Sequence, residues 1–336
     1  MKAGVLYGNE DIRYEEIPTP EIGRGEVLVR VAMTGICGSD LPRVLDGGAH
    51  YYPIVLGHEF SGTVVQIGEG VDRVSVGDRV AGVPLVPCMT CADCQKGDYS
   101  LCRHYTFIGS RIQGAFAEYV KLPERNVVPF GPEVSFEQGA FFEPSTVALH
   151  GLRCAGYVGG RDVAVVGCGT IGLFTLQWAK IFGARSVTAF DVSEARLALA
   201  KKLGADFVCR EPDGRQFDFV LETAGQPDAI KTCFAIAANK ASICCIGTPH
   251  RNVNFTAREW ETMNRKEFAL TGSWMSYSAP FPGEEWELTA HYFGTGQLRY
   301  DEDMIFRKMP LSRINEAFAL YKTPGQVQGK IMICCE

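Results

Sequence analysis

DVAVVGCGTIG, residues 162–172, opens on an apolar run and closes on three spaced glycines. Val163 to Val166 have no polar side chain on either face, the pattern of a strand buried on both sides in a parallel sheet. The run passes directly into Gly167-Cys168-Gly169-Thr170-Ile171-Gly172 and then into the helical pattern LFTLQWAKIFGA. A lone G-x-G-x-x-G says little. Between a strand and a helix it has a physical purpose. The glycines allow a tight turn and bring a pyrophosphate close to the N–H groups of the helix N-terminus. Gly167, Gly169, Thr170, Ile171 and Gly172 are therefore cofactor-binding candidates.

The next strand, SVTAFDVS, ends at Asp191, nineteen residues past Gly172. An acid there accepts hydrogen bonds from both hydroxyls of an adenosine ribose and repels a 2'-phosphate, which favours NAD over NADP. Arg196 follows in SEARLALAKKLGA, either blunting that repulsion or serving as a helix-surface charge. Further strands are expected at DFVCR, FDFVLETAG, ASICCIGTP and EFALTGSW, completing a six-stranded doubly wound parallel sheet. Only seven residues separate Cys209 from Phe217. In a 3-2-1-4-5-6 order that link crosses three strand spacings, roughly 14 Å, and returns roughly 17 Å along the strands. Seven extended residues reach about 25 Å. The link is taut, and no crossover helix is expected in it.

Upstream the pattern changes. GEVLVRVAMTG and EFSGTVVQIGEGVDRVSVGDRVAGVP are glycine-rich with short valine-rich strands, as in an all-β barrel-like domain. The expected fold class is α/β, with a barrel-like domain over 1–147, a Rossmann domain over 148–294, and a return to the first domain over 295–336. The active site is expected in the cleft between the domains, near the carboxyl ends of the sheet strands.

A net charge of −6, with 46% hydrophobic and 21% charged residues, describes a globular chain and argues against nucleic acid or an anionic membrane as partner. The N-terminus MKAGVLYGNEDIRYEEIPTP carries no signal-peptide core, and no apolar run approaches the roughly 20 residues of a membrane span. A cytoplasmic location is expected. Thiols stay reduced there, so thirteen cysteines read as metal ligands and small core residues rather than disulfides.

Four of them crowd CMTCADCQKGDYSLC as C-x2-C-x2-C-x7-C: Cys88, Cys91, Cys94 and Cys102. The intervening residues are polar and turn-forming, so this lobe (88–102) has no core of its own. Four thiolates around one tetrahedral zinc would hold it, and such a closed site is structural rather than catalytic. A mixed set lies elsewhere: Cys37 with Ser39 and Asp40 in GICGSD, His58 and Glu59 in LGHEF, and Glu143 in FFEPSTVALH. An acid behind two phenylalanines and before a proline needs a partner. Cysteine, histidine and carboxylate together can leave one zinc position open.

These motifs, in this order and over nearly the whole chain, resemble the zinc-containing medium-chain alcohol and polyol dehydrogenases. The resemblance implies a GroES-like catalytic domain, two zinc ions per chain and NAD. It also implies Cys37, His58 and Glu143 as catalytic-zinc ligands and Glu59 as a glutamate at or near the metal. Asp40 would orient the zinc-bound imidazole, and Ser39 would take the substrate's proton. Many relatives carry a relay histidine five residues after the cysteine, where this chain has Pro42. Sorbitol dehydrogenases commonly have an aromatic-Arg-Tyr sequence where it has Trp274-Met275-Ser276.

CGSDLPR, GAHYYPIVLGHEFSG, GSRIQGAFAEY and GSWMSYSAPFPGEEWE bring the likeness closest to the polyol-phosphate branch. The expected reaction is oxidation of galactitol 1-phosphate at C5 to tagatose 6-phosphate. Zinc would polarise the alkoxide, and hydride would leave for the nicotinamide. Arg43, then Arg111, then His50 are the residues expected to meet the phosphate dianion, with Trp274 a further substrate candidate. The alternatives are a dehydrogenase of an unphosphorylated polyol, a zinc-free quinone or enoyl reductase, and non-catalytic reuse of the fold. A homodimer or homotetramer is implied.

Overall fold

The computed structural model describes residues 1–323 and 325–335. The chain gathers into two compact units. One comprises Met1–Glu143, Tyr277–Gly296 and Glu302–Glu336; the other comprises Pro144–Ser276 and Gln297–Asp301.

In the second unit six parallel strands lie in the order Phe207–Cys209, Ser186–Phe190, Asp162–Val166, Phe217–Glu222, Ala237–Cys245 and Ala269–Gly272. In chain order this is 3-2-1-4-5-6, the doubly wound arrangement of a Rossmann domain. Val163, Ala164 and Val165 are fully buried in its middle strand, as an apolar run without alternation requires. The link between Cys209 and Phe217 contains no helix. Arg215 stays near its start, pairing with Asp213 and covering the Phe207 ring at 4.6 Å.

Strand Asp162–Val166 feeds helix Thr170–Ile181 through the glycine turn. The third glycine is obligatory on steric grounds: a Cβ on Gly172 would lie 1.8 Å from the Gly167 carbonyl oxygen. The helix is anchored from within, because the buried Trp178 indole donates to the Ser145 carbonyl at 3.0 Å.

The first unit is built on a seven-stranded sheet. Its path runs Val127–Pro129, Arg79–Gly82, Glu59–Ile67, Glu26–Gly35, Lys330–Cys334 and Ile305–Pro310, with Tyr119–Pro123 also pairing Glu26–Gly35. A second, three-stranded sheet joins Asp11–Glu16, Lys2–Gly8 and Ile54–Val55. Valines 27, 29 and 31 enter one apolar core with Leu6, Phe60, Phe116, Phe318 and Ile333. The C-terminal strand pairs Met332 with Gly35, and Gly35 in turn pairs with Glu59. Three distant stretches of chain thus meet at one place.

The units divide after Glu143 and Ser276, whereas the sequence reading placed boundaries after 147 and 294. Segment Tyr277–Gly296 joins the β-rich unit through its aromatic residues. Phe281 meets Tyr99 edge-on at 5.3 Å, Phe293 stacks on Phe142 at 5.6 Å, and the Tyr277 hydroxyl accepts the Leu85 N–H at 3.3 Å. Gln297–Asp301 stays with the sheet through Arg299 N–H on Gln177 and the Lys202–Asp301 pair.

Candidate metal and cofactor sites

The four-cysteine lobe closes on itself. Cys91 ends in extended backbone before the short helix Ala92–Lys96, which puts Cys94 inward, and Gly97 turns the chain in the left-handed region at φ 89°. The sulfurs of Cys88, Cys91, Cys94 and Cys102 all lie within 4.8 Å of one another. Cys88 and Cys94 are 4.0 Å apart, as are Cys91 and Cys102. Tetrahedral thiolates about 2.3 Å from zinc stand roughly 3.8 Å apart, so the set fits that ion. Hydrogen bonds from Thr90 and from the Cys91 N–H hold the Cys88 thiol down at about 5, already near its ligating form. Burial pushes Cys94 up to about 12, and a metal must displace its proton.

The mixed set assembles around the end of strand Glu26–Gly35. Donor atoms of Cys37, His58 and Glu59 lie within 4.8 Å of one another. His58 and Glu59 are delivered by a turn at Gly57, whose φ is 93° and where a Cβ would meet the Phe116 nitrogen at 2.8 Å. Asp40, fully buried, ties the set together. One of its oxygens accepts the Cys37 N–H at 3.0 Å and the other faces His58 Nδ1 at 3.4 Å. Among the described residues neither Asp40 Oδ1 nor His58 Nδ1 makes a hydrogen bond, and the two face each other, an arrangement in which Asp40 can orient the ring and leave Nε2 for a metal. Burial opposes charge on His58, but Asp40 and Cys37 outweigh it and lift the imidazole well above its usual value. A metal would take the place of that proton. Three donors of this kind fit a zinc with an open position.

Glu143 is the second residue of helix Phe142–Cys154 and lies outside that three-residue set. Desolvation first, and then the Glu59 charge, push its carboxyl up to about 7. The two glutamates are therefore neighbours competing for cationic partners, and the geometry puts Glu59 with Cys37 and His58.

Glu59 also has a partner that the sequence reading missed. Lys330, buried at the head of the C-terminal strand, donates to Glu59 and to the Ile36 carbonyl at 3.3 Å. Burial lowers an ammonium's pKa, yet the Glu59 charge more than offsets it. Gly35 makes room for the pair, since a Cβ there would stand 2.6 Å from Glu59 and 2.8 Å from the Lys330 side chain. The available signal was a lysine opening the apolar run KIMICC, where a strand residue enters the core.

Ser39 is exposed and its hydroxyl lies 3.4 Å from Cys37 Sγ. The Arg43 guanidinium donates to that hydroxyl at 3.0 Å and to the Ser39 carbonyl. Arg111 lies over the Tyr105 ring at 4.5 Å and reaches its hydroxyl at 3.4 Å. Partial burial, then the charges of Arg111 and Arg43, lower the His50 pKa, so the imidazole lies within electrostatic reach of both arginines. Trp274 belongs to the other unit and stands 54% exposed.

In the Rossmann unit the Asp191 carboxylate is set by two backbone donors, Cys168 N–H at 2.7 Å and Ser193 N–H at 2.9 Å. Arg196 comes within 3.8 Å of it. Gly169, at the cap of helix Thr170–Ile181, offers no side-chain acceptor, and a Cβ there would meet nothing within 4 Å. The open space and uncapped N–H groups fit a pyrophosphate.

Residues 23–132 match the alcohol dehydrogenase GroES-like domain, and residues 170–290 match the zinc-binding dehydrogenase domain. Galactitol 1-phosphate 5-dehydrogenase of Escherichia coli K12 is 45% identical over 300 residues, covering 85% of this chain and 87% of that protein. The crystal structure of galactitol-1-phosphate dehydrogenase from E. coli superposes with a TM-score of 0.94 at 39% identity, over 99% of this chain and 100% of that one. Sorbitol dehydrogenase of Bacillus subtilis is 35% identical, over 75% of this chain and 76% of its own. A zinc-binding dehydrogenase from Sinorhizobium meliloti bound to NADP gives a TM-score of 0.89 at 28% identity, over 99% of this chain and 98% of that one.

Proposed function

Because the chain belongs to the zinc-binding alcohol dehydrogenases, we propose that it oxidises a secondary alcohol of a polyol phosphate to a ketose phosphate with NAD. The specific reading is galactitol 1-phosphate oxidised at C5 to tagatose 6-phosphate. The observation that carries it is Arg111, placed over the Tyr105 ring and within electrostatic reach of His50. A phosphate dianion needs charge-assisted donors, and a guanidinium supported on an aromatic ring can give two of them.

Cys37, His58 and a glutamate would hold the catalytic zinc, and the four-cysteine lobe a structural one. Bound in the open site, zinc supplies the Lewis acidity that favours the alkoxide form of an alcohol, and NAD accepts the hydride. The chain's own residues then orient and move protons. Asp40 fixes His58, Ser39 takes the alcohol's proton, and Asp191 receives the adenosine ribose and disfavours a 2'-phosphate. Pro42 holds no proton, so release beyond Ser39 goes to solvent or to the cofactor ribose. The same reading places the protein in the cytoplasm as a homodimer or homotetramer.

A dehydrogenase of a free polyol is the second reading, favoured by the 35% identity to the sorbitol enzyme. It keeps every zinc and cofactor residue and dispenses with the Arg111–His50 pair. The test is kcat/KM for galactitol 1-phosphate against galactitol, sorbitol and xylitol at matched concentrations. A marked preference for the phosphate is expected; equal or better turnover of a free polyol leaves the second reading.

A further inference from the structure

Ser39 occupies the cap position of helix Asp40–Leu45, yet its hydroxyl makes no capping hydrogen bond. A serine there ordinarily turns its oxygen to the N–H groups of the first turn. Here the oxygen is engaged on its outer side. Arg43, four residues on, folds back so that one nitrogen donates both to the Ser39 carbonyl and, at 3.0 Å, to Ser39 Oγ. The same nitrogen stands 3.8 Å from Asp40, whose charge holds the guanidinium close. On the other side Ser39 Oγ lies 3.4 Å from Cys37 Sγ.

We propose that Arg43 is a positioning residue for the Ser39 hydroxyl, fixing its rotamer for the proton it is to receive. The inference rests on the reading of Ser39 as the group that takes the substrate's proton. A hydroxyl has one donor and two acceptor sites, whereas a guanidinium only donates and does not give up its proton. Arg43 therefore fills one lone pair and cannot be the next station of a relay. What it does is remove the freedom of an exposed serine to rotate among three staggered wells. One lone pair then remains for the incoming alcohol proton, and the hydroxyl's own hydrogen, which points to Cys37 Sγ in this structure, leaves for solvent or the cofactor ribose as that proton arrives.

The neighbouring backbone makes the arrangement rigid. Pro42 fixes its own φ, and its carbonyl accepts the N–H groups of Asp46 and Gly48 at 3.1 and 3.0 Å, closing the turn behind Arg43. The arginine side chain is four-fifths buried, at 20% exposure, so its own rotamer is constrained even though Ser39 is exposed. Where a relay histidine is missing, orienting the single remaining hydroxyl is the contribution this loop can still make.

The test is a double-mutant cycle of Arg43→Ala and Ser39→Ala, with Arg43→Lys as the conservative variant. It is run on whichever alcohol the unmodified enzyme turns over best, and on that alcohol's phosphorylated or unphosphorylated counterpart. Single-turnover formation of NADH is read, so that slow product release does not hide the step. Zinc content and NADH binding serve as controls for an intact protein. Arg43→Ala is expected to slow the step about 10- to 100-fold on both substrates, within the usual range for one acid–base group. Arg43→Lys should recover part of the loss, and Arg43→Ala should add nothing once Ser39 is alanine. Independent, multiplying losses would overturn the proposal. So would a loss confined to KM of the phosphorylated substrate, which makes Arg43 a phosphate ligand. If Arg43→Ala does not fold, Arg43→Gln in the same cycle decides, since it keeps the length and removes the charge. A preference for a free polyol defeats the phosphate reading and leaves the cycle to be judged on that polyol.

Discussion

Lys330 and Glu59, 271 positions apart in the chain, form an ion pair inside the β-rich unit with side chains only 6% and 2% exposed. The carboxylate of this pair also belongs to the donor set with Cys37 and His58. Lysine and a bound zinc would thus compensate the same buried charge. Lys330→Met leaves Glu59 unpaired, at a cost of about 3–5 kcal/mol when one partner of a buried pair is removed. A bound metal compensates part of that charge. The variant should lose more stability after chelation than with zinc in place, and should bind zinc more tightly than the parent. Urea unfolding with and without chelator measures both. Equal losses in the two states would remove Glu59 from the metal set.

The two thiolate-bearing sites should separate cleanly. Cys102→Ser is expected to leave one zinc per chain and to make residues 88–102 more open to proteolysis, because the metal would join the lobe's four thiolates, while Tyr99 and Ser100 pack it on segment 277–296. His58→Ala should lose the other zinc and the activity while the fold persists. Asp40→Asn keeps every ligand but weakens the orientation of the His58 ring, so metal affinity or activity should fall about 10- to 100-fold. Elemental analysis beside a turnover assay checks all three. One zinc per fully active parent chain would contradict the assignment.

What could be read from the sequence was local. The strand–glycine–helix passage at 162–181 and the helix-free link from Cys209 to Phe217 are each decided within a few residues, and the observed sheet order is the one assumed in reading that link. The spacing of the four cysteines and the Cys37, His58 motifs likewise carry their chemistry in short stretches. Lys330 was not legible because its partner is brought to it by the pairing of the last strand with Gly35. Segment 277–296 was misplaced because aromatic contacts, not periodicity, attach it to the β-rich unit. Arg43 was read by its distance from Cys37, and a side chain that folds back along its own helix leaves no mark in spacing.

Asp191 is the residue proposed to set the cofactor preference. Its two oxygens, at the end of strand Ser186–Phe190, are anchored by the Cys168 and Ser193 N–H groups and keep further acceptor sites for ribose hydroxyls. Asp191→Ser removes hydrogen bonds to a charged acceptor, each worth about 1.5–3 kcal/mol. NAD should bind about 10- to 100-fold more weakly, while NADP gains because its 2'-phosphate no longer meets an acid and finds Arg196 beside it. The ratio of kcat/KM for the two cofactors measures this. Equal efficiency in the unmodified protein would refute the preference itself.

His50 should make phosphate binding depend on pH. Its imidazole is pulled below its ordinary value by partial burial, then by Arg111, then by Arg43, so the free protein holds it neutral at pH 7. A phosphate dianion placed among these groups favours the charged ring and raises that pKa. Binding then takes up a proton in the window between the free and the bound value. Affinity for a ligand whose binding takes up protons rises as pH falls. KM of the phosphorylated substrate should therefore drop as pH falls through that window, by at most about tenfold per unit for one proton. Below about pH 6 the gain ends, because the phosphate itself becomes a monoanion. His50→Gln should flatten the profile, and an unphosphorylated polyol should show no such slope in either protein. A KM for the phosphate that stays level across this window, or a slope that survives in His50→Gln, would remove His50 from the site and leave Arg111 as its principal cation.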